Sequence, residues 1–347
     1  MTADVTVLPG VEPGGPPVAV GGARTALQAL AELRRAGLRG RAASATGFEP
    51  LDEVLDGGVR PDDLLVLGGK PGQGKTIAAL QWARHMAGDG ATCIFACFEH
   101  DEAVLLARML TSALAEAAAA QGCDDQPRLE GLRRALRSVA VGEVGLRQVL
   151  QWDPLLAEAE DRFAASADRL VLSRASGART DADALRRAVQ DHATDRTVLF
   201  VDYVQKVPVS ADVTDEAERV ARVAGALKEL SLELHVAVVA VSASERRGLD
   251  ARRLRLHHFR GSAALAHEAD AALVLNRKLD IVSRAHLAYD LTRTAEFTGR
   301  TVVSIEKNRH GAAEVDLEFV KDFANYRFDP RGRFVAERLW SEGSMEE

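Results

Sequence analysis

The chain has 347 residues, 47% of them hydrophobic and 27% charged, which excludes a bulk disordered, collagen-like or coiled-coil chain and allows either one large α/β domain or two smaller ones. Forty-four Lys and Arg against 51 Asp and Glu leave a net charge of −7, so the chain does not coat nucleic acid through bulk charge, and any such contact needs a local basic patch. Cys93, Cys97 and Cys123 form no CxxC pair and fit a reducing cytoplasm, while no stretch nears the ~18 apolar residues of a membrane span or resembles a signal peptide, so no membrane is implicated.

In chain order, residues 1–22 carry five Gly and four Pro and are expected to form a disordered tail. Arg24 to Leu38 switches to helix formers, with Leu27, Leu30 and Leu33 spaced by threes among Gln28, Glu32, Arg34 and Arg35. One short amphipathic helix is predicted, docking on its own domain or on a neighbouring subunit. From there apolar runs alternate with helical patterns, as in βαβ units around a largely parallel sheet. Strands are predicted at Leu64 to Gly68, Cys93 to Phe98, Val198 to Val204, Val236 to Val241, Ala271 to Leu275 and Thr301 to Ile305. All are short and nearly charge-free inside, as suits strands covered on both faces. A long helical stretch, about Ala103 to Phe163, separates the second and third strands, with Asp153 and Pro154 marking a fresh helix start. The helix before the fourth strand carries Val220, Val223, Leu227, Leu230 and Leu234 on one stripe. The division expected is a tail at 1–22, a helix at 23–42, one α/β domain at 43–335 and a C-terminal tail at 336–347.

The chemistry starts at Gly69-Lys70-Pro71-Gly72-Gln73-Gly74-Lys75-Thr76, a full G-x-x-x-x-G-K-[ST] match between the first strand and the helix pattern Ile77 to Met86. Its glycines let successive N–H groups converge on phosphate oxygens, and the helix N-terminus adds positive potential. Lys75 is then expected to reach the β and γ phosphates of ATP and Thr76 to hold Mg²⁺. Asp202 ends the apolar run Val198-Leu199-Phe200-Val201 and is positioned to present a carboxylate to the metal. Glu99 ends the second strand in the same way and could polarise the attacking water, though Asp101 and Glu102 lie beside it and spacing alone does not choose among the three. Residues 244–261 supply a basic run: Arg246, Arg247, Arg252, Arg253, Arg255 and Arg260 against only Glu245 and Asp250.

These blocks, with Thr46-Gly47-Phe48, Leu51-Asp52, Leu106-Ala107-Arg108-Met109-Leu110, Val201-Asp202-Tyr203-Val204-Gln205, Arg260, Ser262, Glu268-Ala269-Asp270 and Lys307-Asn308-Arg309-His310-Gly311, resemble the ATPase domain of hexameric replicative DNA helicases of the DnaB type. The resemblance implies a RecA-like P-loop NTPase fold, with a largely parallel central sheet and helices on both faces. It implies ATP and Mg²⁺ as cofactors and Glu99 as the water-activating acid. Lys307 and Arg309 would reach the ATP of the adjacent subunit of a homo-hexamer, Arg309 as arginine finger, and the helix Arg24 to Leu38 would be the linker helix packing on a neighbour. Single-stranded DNA would thread the ring, its backbone gripped by Arg255, Arg260, Gly261 and Ser262.

Three departures qualify that picture. The family's γ-phosphate-sensing Gln corresponds here to Ala243, the Arg-Glu-Ser-Gly of its DNA loop reads Arg260-Gly261-Ser262-Ala263, and the residues ahead of the match are too few for a primase-binding domain. An accessory helicase or translocase is therefore expected, with a protein loader or regulator as a further partner. The alternative is a RecA-like regulatory or assembly ATPase that acts on a protein without unwinding DNA.

Overall fold

The computed structural model describes residues 25–36, 42–209, 213–259, 261–283 and 291–340, so the tail expected at 1–22, residues 341–347 and Arg260 lie outside the described residues. The chain divides into two units, one ending at Arg39 and one starting at Gly40. In the first, α1 (Ala26–Ala36) starts with a reciprocal cap: the Thr25 backbone N–H donates to Gln28 Oε1 (2.9 Å) and the Gln28 N–H donates to Thr25 Oγ1 (3.2 Å). Its Leu27 and Leu30 are exposed.

The second unit runs α2 (Glu49–Val54), β1 (Leu64–Gly69), α3 (Lys75–Gly88), β2 (Thr92–Cys97), α4 (Glu102–Ala120), α5 (Gln126–Ala140), α6 (Leu146–Leu150), α7 (Pro154–Ala167), β3 (Leu170–Arg174), α8 (Ala182–His192), β4 (Thr197–Asp202), α9 (Glu216–Leu234) and β5 (Ala237–Ala243). It continues with α10 (Arg246–Asp250), α11 (Ser262–Glu268), β6 (Ala271–Arg277), α12 (Lys278–Ile281), α13 (Leu291–Thr298), β7 (Arg300–Asn308), β8 (Val315–Asp322), β9 (Arg327–Phe328) and β10 (Arg333–Phe334). Aspartates start many of the helices. Asp101, Asp125, Asp153, Asp181 and Asp215 each accept a backbone N–H of the first turn of α4, α5, α7, α8 and α9, satisfying donors that have no partner within the helix. The long helical stretch thus breaks into α4 to α7 where Asp125 and Asp153 restart it.

The strands lie in the order β10-β8-β7-β6-β1-β5-β4-β2-β3, with β9 paired to β8. From β3 to β6 every neighbouring pair is parallel, whereas β7, β8 and β10 join antiparallel. In β1, Leu65 and Leu67 face the cluster of Trp82, Phe95, Phe200 and Phe319, while Leu64 and Val66 face Val223, Leu227 and Leu230 of α9. Alternate side chains of one strand therefore feed two apolar layers, as a sheet covered on both faces requires.

Four strands escaped the sequence reading, the two-residue β9 and β10 and, for one shared reason, the longer β3 and β8. β3 is a half-buried edge strand ending in Ser173 and Arg174, and β8 carries Glu318 at its centre, fully buried and bonded to Lys278, Arg300 and Arg333. Charge inside a strand hides it from a search for apolar runs. The expectation that no segment has the length and apolarity of a membrane span also needs correction. α4, 19 residues, is long and apolar enough by length and composition alone. Its apolar residues pack against Leu132, Leu136, Val149, Leu155 and Leu156 of α5, α6 and α7, so burial within the domain accounts for its composition.

Candidate active site

Because β1, β2, β4 and β5 are parallel, their C-terminal ends share one edge, and the chain leaving β1 crosses to β2, beyond β5 and β4. Strand order reverses there, which opens a crevice above the sheet. A cavity of about 500 Å³ occupies it, lined by Gly72, Gly74, Lys75 and Thr76 of the loop and by Glu99 and Asp202 of the neighbouring strand ends. Gly74 is the N-cap of α3 at φ 91°, and a Cβ there would lie 2.6 Å from the Phe323 ring and 2.7 Å from Phe328, so only glycine fits.

Lys75 Nζ donates to the carbonyls of Gly69 (2.8 Å) and Lys70 (3.1 Å). Burial pushes its ammonium below the usual lysine value against the opposing pull of Asp202 and Glu99. Thr76 Oγ1 donates to Asp202 Oδ2 at 2.7 Å. Burial pushes the Asp202 carboxyl upward, and the Thr76 hydrogen bond and Lys75 counter it. The Thr76 hydroxyl and Asp202 carboxylate are hard oxygens side by side, the donor set that Mg²⁺ takes when phosphate and water complete its shell. Among the described residues no group of three His, Cys, Asp or Glu could hold a metal unaided.

The three acids after β2 have different positions. The Asp101 carboxylate accepts the Val104 N–H as the cap of α4 (3.0 Å), Glu102 Oε1 accepts the Arg174 N–H (2.9 Å), and Glu99 is exposed into the cavity. Within the loop motif the Lys70 ammonium turns away from the cavity to the carbonyl of Ala251 (2.5 Å), and Gly69, Lys70 and Gln73 are not among the cavity-lining residues. The Lys70 side chain thus ties the loop to the arginine-rich segment.

Sequence reasoning assigned no role to the aromatic wall. Phe323 and Tyr326 line the cavity from a single 3-10 turn after β8, and Arg108 of α4 lies over the Tyr326 ring at 5.3 Å. No local signal marks these residues, since the turn is far along the chain from the loop it faces. A second cavity of about 450 Å³, lined by Thr46, Gln81, Arg84 and Arg162, contains no loop residue, and its Arg84 is satisfied by a bidentate pair with Glu116 (2.7 Å each).

The remaining expected residues sit apart from this cavity. Lys307 Nζ donates to the Ala266 carbonyl (2.6 Å). Arg309 donates to Asp270 Oδ1 (2.7 Å) and to the His267 carbonyl (2.9 Å) while its side chain stays half exposed. The basic run is not six free charges. Arg252 bonds the carbonyls of Asp280 and Val282, buried Arg253 pairs with Asp316 and Ser304, and Arg255 pairs with Glu306 at 2.8 Å. Gly261 takes φ 64°, where a Cβ would lie 2.9 Å from Val220 of α9. The acid replaced at this position could not be accommodated without a shift. Ser262 opens α11. At Ala243, which lines the cavity, the Gln205 amide bonds both backbone groups: Nε2 donates to the Ala243 carbonyl (3.1 Å) and Oε1 accepts the Ala243 N–H (3.2 Å).

A glycine-rich loop, a Thr–Asp pair and a strand-end acid at the switch point of a mostly parallel sheet define a RecA-like P-loop NTPase. Within that class the chain belongs to the DnaB-like helicase C-terminal domain family, whose match spans residues 44–131 and 152–328. It is 25% identical over 284 residues to the replicative DNA helicase DnaB of Treponema pallidum (strain Nichols), covering 81% of this chain and 55% of that protein. It is 28% identical over 116 residues to a probable plasmid replicative DNA helicase of Chlamydia psittaci, covering 33% of this chain and 23% of that one. The chain thus spans about half the length of the first of these relatives and less of the second. Among solved structures, the ATPase domain of G40P superposes with a TM-score of 0.62 at 17% identity, covering 87% of this chain and 96% of that one. A DnaB-like replicative helicase studied with primase gives 0.62 at 18%, covering 87% and 65%. At these identities the two structures speak for the fold.

Proposed function

We propose that the chain is an Mg²⁺-dependent ATPase that works as a hexameric ring on single-stranded DNA, hydrolysing ATP at subunit interfaces and translocating as it does so. The observation that carries this reading is the 2.7 Å contact of Thr76 with Asp202 beside the exposed Glu99, the arrangement phosphoryl transfer to water requires. Lys75, released from the Gly69 and Lys70 carbonyls, binds the β and γ phosphates. Thr76 and Asp202 hold Mg²⁺, which neutralises charge on the phosphates when bound. Glu99 accepts the proton of the attacking water.

Arg309 and Lys307 serve a neighbour's site, Arg309 stabilising charge that develops in transfer. The linker helix at 23–42, with Leu27 and Leu30 exposed on α1, clasps the adjacent subunit, and 43–335 is the catalytic domain. Arg255, Arg260, Gly261 and Ser262 meet the DNA backbone, in a reducing cytoplasm. A second reading, a regulatory or assembly ATPase acting on a protein, is favoured by Ala243 and by the internal pairing of Arg252, Arg253 and Arg255.

The test is the ATPase rate with and without single-stranded DNA, with oligomer mass followed by sedimentation at the assay concentration. DNA stimulation of an oligomer is expected. Turnover that ignores DNA favours the second reading, and full turnover by a strict monomer rules out the shared site.

A further inference from the structure

The family match omits residues 132–151, the stretch holding most of α5 and all of α6. One side chain of this segment bonds the turn whose Phe323 and Tyr326 line the nucleotide cavity. Arg133, on the buried side of α5 with Leu129, Leu132 and Leu136, is 8% exposed. A guanidinium taken out of water needs partners for its donors, and it has two. Nε donates to Glu130 Oε2 (3.0 Å) and a terminal nitrogen donates to Asn325 Oδ1 (3.1 Å). An apolar side chain would fill the same space, so what arginine adds is the reach to Asn325.

Asn325 is the last residue of the Phe323–Asn325 turn, and its Nδ2 donates to both carboxylate oxygens of Asp322 (2.8 and 3.0 Å). With the amide nitrogen so occupied, its oxygen is left to accept from Arg133. Tyr326 follows in the left-handed conformation at φ 49°. The far end of the turn is held separately, where Gln81 exchanges two hydrogen bonds with the Phe328 backbone (2.9 and 3.0 Å). The turn carrying Phe323 and Tyr326 is therefore held from three helices, by Gln81 of α3, by Arg108 of α4 over the Tyr326 ring and by Arg133 of α5.

We propose that Arg133 is a positioning residue for the nucleotide: through Asn325 it fixes the aromatic turn against which the nucleoside end of ATP rests, so the helical segment outside the family match sets how tightly the base is held. The inference rests on the nucleotide-binding reading above and deepens it. Phosphate contacts come from the loop and the α3 N-terminus, aromatic contacts from the turn. Phe323 also packs over Gly74 of the loop, so loosening the turn should weaken the base end more than the phosphate end.

The experiment compares ATP with inorganic tripolyphosphate by calorimetry on the full chain with Mg²⁺, before and after Arg133→Met. A well-placed aromatic contact to a base is worth enough that its partial loss should weaken ATP about fivefold to tenfold, with tripolyphosphate weakened less, KM raised and kcat retained. Asn325→Ala breaks the same contact and the two Asp322 hydrogen bonds as well, so it should weaken ATP at least as much, with Arg133→Met adding little on top of it. Arg133→Lys, which keeps the charge on one donor group in place of the guanidinium's several nitrogens, should restore part of the affinity. ATP affinity untouched by both single variants, or ATP and tripolyphosphate weakened in equal proportion, overturns the inference. Failure of the unaltered chain to bind ATP at all overturns the nucleotide reading and the inference with it.

Discussion

Exchanging Lys75 for Met and Glu99 for Gln in separate variants should split binding from turnover. The Lys75→Met change keeps the methylene stem and its packing but removes the ammonium that now bonds Gly69 and Lys70 at 2.8 and 3.1 Å. One charge-assisted hydrogen bond to phosphate contributes about 1.5–3 kcal/mol, so ATP affinity should fall roughly 10- to 150-fold. Glu99→Gln is nearly isosteric and touches no protein partner that the fold needs. It also removes a negative charge close enough to act on Lys75 and Asp202, so ATP should bind as well as before or better. Its effect falls on the barrier: a general base contributes about 10²- to 10⁴-fold, or roughly 3–5 kcal/mol. Calorimetric ATP binding and single-turnover hydrolysis separate the two. If Glu99→Gln hydrolyses ATP at the parent rate, the reasoning fails, because Asp101 caps α4 and Glu102 holds Arg174, and neither could replace it without undoing that contact.

Arg309→Ala should bind ATP nearly normally and hydrolyse it poorly, and mixing it with Lys75→Ala subunits should return part of the rate, because some interfaces then combine an intact loop with an intact finger; no recovery on mixing counts against action in trans. Asp52 accepts the Thr46 N–H and hydroxyl (2.7 Å each) and the Gly47 N–H (2.9 Å), so Asp52→Ala should destabilise the fold by about 2–4 kcal/mol in denaturant unfolding, and a change within about 0.5 kcal/mol would remove that loop from the stability argument. Arg255→Ala should weaken single-strand binding about equally across sequences and flatten its salt dependence, as for a phosphate contact that reads no bases, whereas unchanged affinity and slope would leave Arg255 as the structural partner of Glu306. Of the three thiols, Cys93 is buried and pushed up to about 12 by that burial, and Cys97 is buried and raised as well, so at pH 8 a thiol reagent should label only the partly exposed Cys123 rapidly in the native chain; fast labelling of all three would mean the strand core opens readily.

What the sequence by itself determined was whatever is local and patterned. The loop from Gly69 to Thr76 lies on contiguous residues whose backbone requirements are written in the glycines, and the strands β1, β2, β4 and β5 are uninterrupted apolar runs because both faces are covered. Asp202 and Glu99 were legible as acids closing such runs. What only the tertiary structure decided depends on pairing between distant segments. Spacing left Glu99, Asp101 and Glu102 equal, and the geometry differs only once α4 needs a cap and β3 lies beside β2. A count of arginines in 244–261 could not reveal that Arg253 is buried against Asp316 or that Arg255 faces Glu306, since those acids arrive on β8 and β7. Gly261 reads as a lost acid until α9 brings Val220 against it. The aromatic turn at Phe323 and its tie to Arg133 have no periodicity to read at all, because a contact between residues nearly two hundred positions apart is fixed by how the sheet closes and not by any neighbouring residue.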